Sequence, residues 1–121
     1  MVKLSNSRLD ASFAALSDVT RRGVLERLGR GNASITELAE RFDMTLAGMK
    51  KHVDILEKVG LATTEKVGRV RTCKLGPRRL QEETAWIDGY HQLWAARFDA
   101  LDRVLEELKK KELSDGRKNR K

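Results

Sequence analysis

The sequence predicts a mainly α fold carrying one small β-hairpin. Three observations support that expectation. Five stretches place apolar residues at helical spacing, one short region around a glycine drops to a period of two, and several helix ends are marked by local capping residues. At 121 residues there is room for one domain with a modest core, and 40% hydrophobic content suits a globular chain.

The first helix is expected from about Leu9 to Leu16, with Leu9, Phe13 and Leu16 along an apolar edge. A second runs from Asp18 to Leu28 and is closed by Gly29 and Gly31. Ser34 with Glu37 reads as a capping box, and Ile35, Leu38, Ala39 and Phe42 follow at helical spacing, so a short third helix ends at a turn over Asp43 and Met44.

The fourth helix begins at Thr45, whose hydroxyl can cap an orphan N–H, and stops where Gly60 can take the left-handed conformation with Leu61 after it. At about 100° per residue, Leu46, Met49, Val53 and Leu56 form one stripe. Ala47, Lys51, Asp54 and Lys58 fall opposite, and Ile55 also projects toward that exposed side, where the stripe gives it no packing role. Strands over Thr63 to Lys66 and Arg69 to Leu75 are then expected to flank a Val67-Gly68 turn. Arg69, Arg71, Cys73 and Leu75 share a face, which puts cations at the tip and an apolar pair at the base. Gly76 and Pro77 punctuate the passage to the last helix.

In that helix Ile87, His91, Trp94, Phe98, Leu101, Leu105 and Leu108 repeat in alternating steps of four and three, a heptad seam. Trp86, Tyr90, Leu93 and Val104 widen the stripe beyond what a small domain covers by itself. A second copy of the chain is the expected cover, with intramolecular core as the alternative. Residues 1–112 are thus read as one domain, and Leu113 to Lys121, basic and without periodicity, as a disordered tail adding nonspecific affinity for polyanions.

Helix, tight turn, helix and a basic hairpin form a winged helix-turn-helix, and charge agrees with a nucleic-acid partner. The formal charge is +7, which favours phosphates because neutralising them releases condensed counterions. Its distribution is more informative than its sum. From Ala62 to Arg79, Lys66, Arg69, Arg71, Lys74, Arg78 and Arg79 oppose only Glu65. From Leu80 to Leu108, two arginines oppose seven acids, so the last helix is not the DNA surface. The expected DNA-binding residues are Thr45, Ala47, Gly48, Lys50, Lys51 and His52 on the fourth helix, with Lys66, Arg69 and Arg71 on the wing. Small side chains at Ala47 and Gly48 let the backbone approach a groove floor. The competing reading is a solvated helix and hairpin serving protein interaction or nonspecific DNA coating.

Other functions are disfavoured. No nucleophile-base pairing, phosphate loop or paired-carboxylate cleft is written in the chain, so an enzyme is not expected, nor is a cofactor. One cysteine permits no internal disulfide, Met1 to Asp10 holds no signal-like apolar run, and no stretch approaches the roughly 20 apolar residues of a membrane span. A cytoplasmic protein is expected. Cys73 is read either as a redox switch at the wing base or as a small buried hydrophobe.

Ala15-Leu16-Ser17-Asp18 with Thr20-Arg21, Glu37-Leu38-Ala39, Lys51-His52-Val53 through Leu56, Gly60-Leu61 and Gly68-Arg69 together resemble the ArsR family of small winged-helix repressors. The resemblance spans about Leu9 to Leu108 and differs at Lys50, where such proteins often carry serine. It implies a homodimer built from first and last helices, with interface residues Leu9, Phe13, Leu16, Ile87, His91, Trp94, Phe98, Leu101 and Leu105. It also implies operator DNA as the partner, the Thr45 helix lying in the major groove. Many such proteins sense metals. Here the third helix lacks cysteine, and Asp88 with His91 lacks a second histidine, so no metal site is expected.

Overall fold

The computed structural model describes residues 7–118, with side chains for residues 7–114. Its elements run α1 (Ser7–Leu16), α2 (Val19–Leu28), β1 (Ala33–Ser34), α3 (Ile35–Arg41), α4 (Leu46–Lys58), β2 (Ala62–Val67), β3 (Val70–Leu75) and α5 (Gln81–Lys118). The chain divides after Glu83 into two units.

In the first unit the helix ends follow the local chemistry. Asp18 accepts from the Arg21 N–H, Ser34 from Glu37 and Thr45 from Gly48, each about one turn ahead. Only half of the expected capping box forms, because the Glu37 carboxylate lies 3.8 Å from the Arg27 guanidinium. Helix α4 ends in a complete Schellman motif: Leu61 N–H donates to the Leu56 carbonyl and Gly60 N–H to that of Glu57, with Gly60 at φ 81°. Helix α3 ends the same way with Asp43 as the left-handed residue, φ 51°, and Met44 N–H donating to Ala39. That pair of bonds fixes the angle between α3 and α4.

The core gathers Val24 and Leu28 of α2, Leu38 of α3 and Met49, Val53 and Leu56 of α4 against Leu61, Ala62 and Cys73 of the hairpin base. Leu46 is not among them. Although it shares the stripe, it is 55% exposed, since the first helical turn projects past the edge of the core. Gly23 sits where a Cβ would press within 2.6 Å of the Phe42 ring, so a small residue in α2 is what admits that ring.

The sheet has three strands rather than two, in the order β1-β3-β2, with Ala33 opposite Cys73 and Ser34 opposite Thr72. Two residues of β1 are too few to show a period, which is why only the hairpin was legible. The hairpin turn lies at Gly68 and Arg69, one residue later than expected, with Val67 paired to Val70. Gly68 alone has positive φ, 63°, as a type II′ turn requires at its first central position. Cys73 packs inward as anticipated, but Leu75 is 49% exposed, so the apolar base is one residue and not a pair. Beyond it the chain passes so close to the α4 cap that a Cβ on Gly76 would collide with the Gly60 carbonyl.

The second unit is the remainder of α5. It continues to Lys118, past the expected end at Glu112, although Ser114, Asp115 and Gly116 are weak helix formers. The end of the predicted tail, residues 119–121, lies outside the described residues, as do 1–6. Along α5 the aromatics form a ladder. Trp86 stacks on Tyr90 at 5.6 Å, Tyr90 meets Trp94 edge-on, and Trp94 stacks on Phe98 at 5.8 Å. Among the described residues no helix is long and apolar enough to cross a membrane.

Candidate nucleic-acid interface

Helix α4 presents an outward arc. Ala47, Lys50, Lys51, Asp54, Ile55 and Lys58 are all exposed while Met49, Val53 and Leu56 are fully buried. Thr45 stands exposed at its head, with its hydroxyl already engaged as the cap. Gly48 is half-buried, and a Cβ there would approach the Thr45 hydroxyl and the Met44 methyl at 3.1 and 3.2 Å. On the side of Leu46 and Lys50 the arc meets a groove closed by Thr36 of α3 and by Thr64, Lys66, Arg69 and Val70 of the wing. Lys66 and Arg69 are exposed at the hairpin tip.

Three residues counted as free positive charge are engaged within the protein. Arg71 directs its guanidinium back at α4, 3.3 Å from Asp54 and 3.3 Å from Glu57, and its Nε donates to the Thr64 hydroxyl. Glu57 in turn accepts from both the N–H and the hydroxyl of Thr64, at 3.0 and 2.8 Å. Arg71 therefore ties the wing to the recognition helix. Arg78 is 11% exposed and faces Glu83, itself 2% exposed. Lys74 lies 4.0 Å from Glu65. Of the cations of α4 and of residues 62–79, Lys50, Lys51, Lys58, Lys66, Arg69 and Arg79 are exposed and in no ion pair among the described residues.

His52 differs most from its expected place. Its side chain is 20% exposed, and Arg21 donates to its Nδ1 at 3.1 Å, leaving Nε2 to carry the ring proton. The same arginine donates from Nε to the Ala15 carbonyl and from its other amino group to Ala14, while Arg22 donates to Leu16. Guanidinium groups from α2 thus satisfy the orphan carbonyls of α1, and one reaches α4 as well. Asp18 lies 3.8 Å from His52; its N-cap bond from the Arg21 N–H, together with the Arg21 charge, holds its carboxyl below the usual range although desolvation raises it. Partners separated by 31 residues cannot be read from spacing, so only the Thr20-Arg21 string hinted at this link.

Cys73 is fully buried, and burial pushes its thiol up to about 11. The thiolate is the nucleophile that attacks peroxide, so a buried thiol held protonated leaves the redox alternative without its chemistry. We expect peroxide to leave DNA affinity unchanged and a thiol reagent to label Cys73 only after unfolding; labelling at native denaturant-free conditions with a shift in affinity would restore the switch. Of the expected interface positions, Leu9, Phe13 and Leu16 of α1 are half-buried. On α5, Ile87, Trp94, Phe98, Leu101 and Leu105 are 43 to 57% exposed, and His91 is exposed.

A family model described as a helix-turn-helix domain matches residues 16–65. The crystal structure of an ArsR family transcriptional regulator is 44% identical, covering 74% of this chain and 98% of that one, with a TM-score of 0.68. The HTH-type transcriptional regulator Rv2034 of Mycobacterium tuberculosis is 31% identical over 92 residues, 69% of this chain and 86% of its own length. At the level of fold alone, the solution structure of a homodimeric winged helix-turn-helix DNA-binding domain from Mycobacterium bovis superposes with a TM-score of 0.57 at 18% identity, covering 78% of this chain and 83% of that one. This protein is therefore a DNA-binding transcription regulator and not an enzyme. The chain belongs to the ArsR family of winged helix-turn-helix transcriptional regulators.

Proposed function

We propose that the protein is a cytoplasmic homodimeric repressor of a two-fold symmetric operator, with the first half of α4 in the major groove and the wing tip on the flanking backbone. The observation that carries this reading is the outward arc of α4. Thr45, Ala47, Gly48, Lys50 and Lys51 stand together at its start, and Lys66 and Arg69 stand across the groove from them. Small residues at the helix start allow close approach, lysines offer contacts to guanine or phosphate, and Lys66 and Arg69 of the wing add charge that no acid pairs among the described residues. His52 and Arg71 act indirectly, aiming helix and wing.

Pairing is supported by α5. Its Ile87, His91, Trp94, Phe98, Leu101 and Leu105 make a continuous exposed stripe too apolar to be stable in water, and a second copy offers the matching seam. Two reading heads then address half-sites about one helical turn apart.

Selection of bound fragments from random duplex DNA tests the whole reading and should return an inverted repeat. Against that operator, Lys51→Ala and Arg69→Ala separate base reading from phosphate contact. A base contact costs about 1–3 kcal/mol and relaxes preference at one position, whereas a phosphate contact weakens all sequences alike and reduces the salt slope by about one. Equal affinity for the selected and a random duplex at physiological salt would leave a nonspecific coat or a protein-interaction module in its place.

A further inference from the structure

We infer that Leu46 is a specificity-determining residue that reads the methyl group of a thymine in the operator. The inference deepens the proposed function and rests on it.

Leu46 opens α4 and is 55% exposed, although three residues of its own stripe, Met49, Val53 and Leu56, are fully buried. Isolated surface leucines are ordinary and need no explanation. This one is not isolated in chemistry. It lines the groove between α4 and the wing together with Thr36, Lys50, Lys66 and Arg69, so an apolar side chain stands among three cations that no acid neutralises among the described residues. A surface of that charge draws a phosphate backbone onto itself, and whatever covers Leu46 is then nucleic acid.

What a leucine can recognise there is narrow. It carries no hydrogen-bonding group, so the donors and acceptors on guanine, cytosine and adenine edges would each be desolvated against it without return. Thymine alone presents an apolar group, the C5-methyl, at the major-groove edge. Position fits as well, since residues in the first turn of a recognition helix are those that reach base edges. The axial step from Leu46 to Lys50 is about 6 Å by the helical rise, less than two base steps of about 3.4 Å. The thymine read by Leu46 should therefore lie within about two base pairs of whatever Lys50 contacts.

Replacing thymine by deoxyuridine deletes the methyl and leaves every hydrogen-bonding group in place, which isolates the contact. In the operator recovered by selection, uracil is put in place of each thymine in turn and affinity is measured for the parent protein and for Leu46→Ala. We expect one thymine per half-site at which uracil weakens parent binding about four-fold, as the burial of a single methyl predicts. We expect Leu46→Ala to bind the thymine and uracil forms equally. Leu46 lies outside the buried core, so the variant should melt with the parent, and its thermal unfolding is recorded alongside. The assignment is overturned if uracil is silent at every position, or if Leu46→Ala keeps the parent's sensitivity. Those failures leave the repressor reading intact, whereas a selection that enriches no sequence sinks both.

Discussion

Replacing Arg78 by alanine should cost the fold about 3–5 kcal/mol, because it leaves a buried carboxylate unpaired. One guanidinium nitrogen of Arg78 lies 2.7 and 3.1 Å from the two oxygens of Glu83, which is 2% exposed. The other donates to the Ser12 hydroxyl at 2.5 Å and to the Val59 carbonyl at 3.0 Å. Val59 is the C-cap of α4, so the same side chain places positive charge where the helix dipole is negative. Ser12 passes the chain of bonds on to the Arg8 carbonyl. Truncation therefore loosens α1, the end of the recognition helix and the first turn of α5 together. Urea unfolding should show the loss. The double variant Arg78→Met with Glu83→Leu, which removes both charges, should recover much of it. A loss under about 1 kcal/mol for Arg78→Ala would show that the network contributes little.

The same site sets an acid limit. Burial pushes the Glu83 carboxyl up, but the bonds from its own N–H and from Arg78, with the Arg78 charge, outweigh it and hold the group below the ordinary value of 4.5. A carboxyl depressed in the folded state contributes stability above that ordinary value and loses it as pH falls through the lower, folded one. Stability should thus decline with acid below about pH 4.5, and Glu83→Gln should flatten that decline.

The second large effect should come from Phe98→Asp. In the proposed dimer a charge in the middle of the α5 seam would face its symmetry mate in an apolar setting, which neither helix can solvate. Sedimentation should report a monomer. Operator affinity should fall about 100-fold or more, since each head then binds without the effective concentration supplied by its twin. Affinity for a single half-site should not change. Phe98 is 57% exposed in the isolated chain and an exposed aspartate in a long helix costs little, so helicity should persist. Retention of the dimer by Phe98→Asp would place the interface elsewhere.

What could be read beforehand and what could not divide along chain distance. Thr45, Gly60 and Ser34 announce helix ends because capping is settled within a few residues, and each caps or terminates the helix expected of it. The heptad of α5 was legible for the same reason, since a periodic stripe belongs to one segment. Side-chain partners were not. Arg71 with Glu57, His52 with Arg21 and Arg78 with Ser12 join positions 14, 31 and 66 residues apart, and a guanidinium written into a basic run looks identical whether it awaits a phosphate or holds a carboxylate. Leu46 was misplaced for another reason. A stripe projected at 100° per residue has no ends, whereas a core does.

The motifs that close α4 at both ends have a consequence for divergence and engineering. Its alignment is held by Met49, Val53, Leu56, Glu57 and the two end motifs, all facing inward or lying at the termini. Positions 46, 47, 50 and 51 are exposed and lie outside that buried scaffold. They form a replaceable cassette, and randomising them together should yield a population of equally sturdy proteins that differ only in which duplex they prefer.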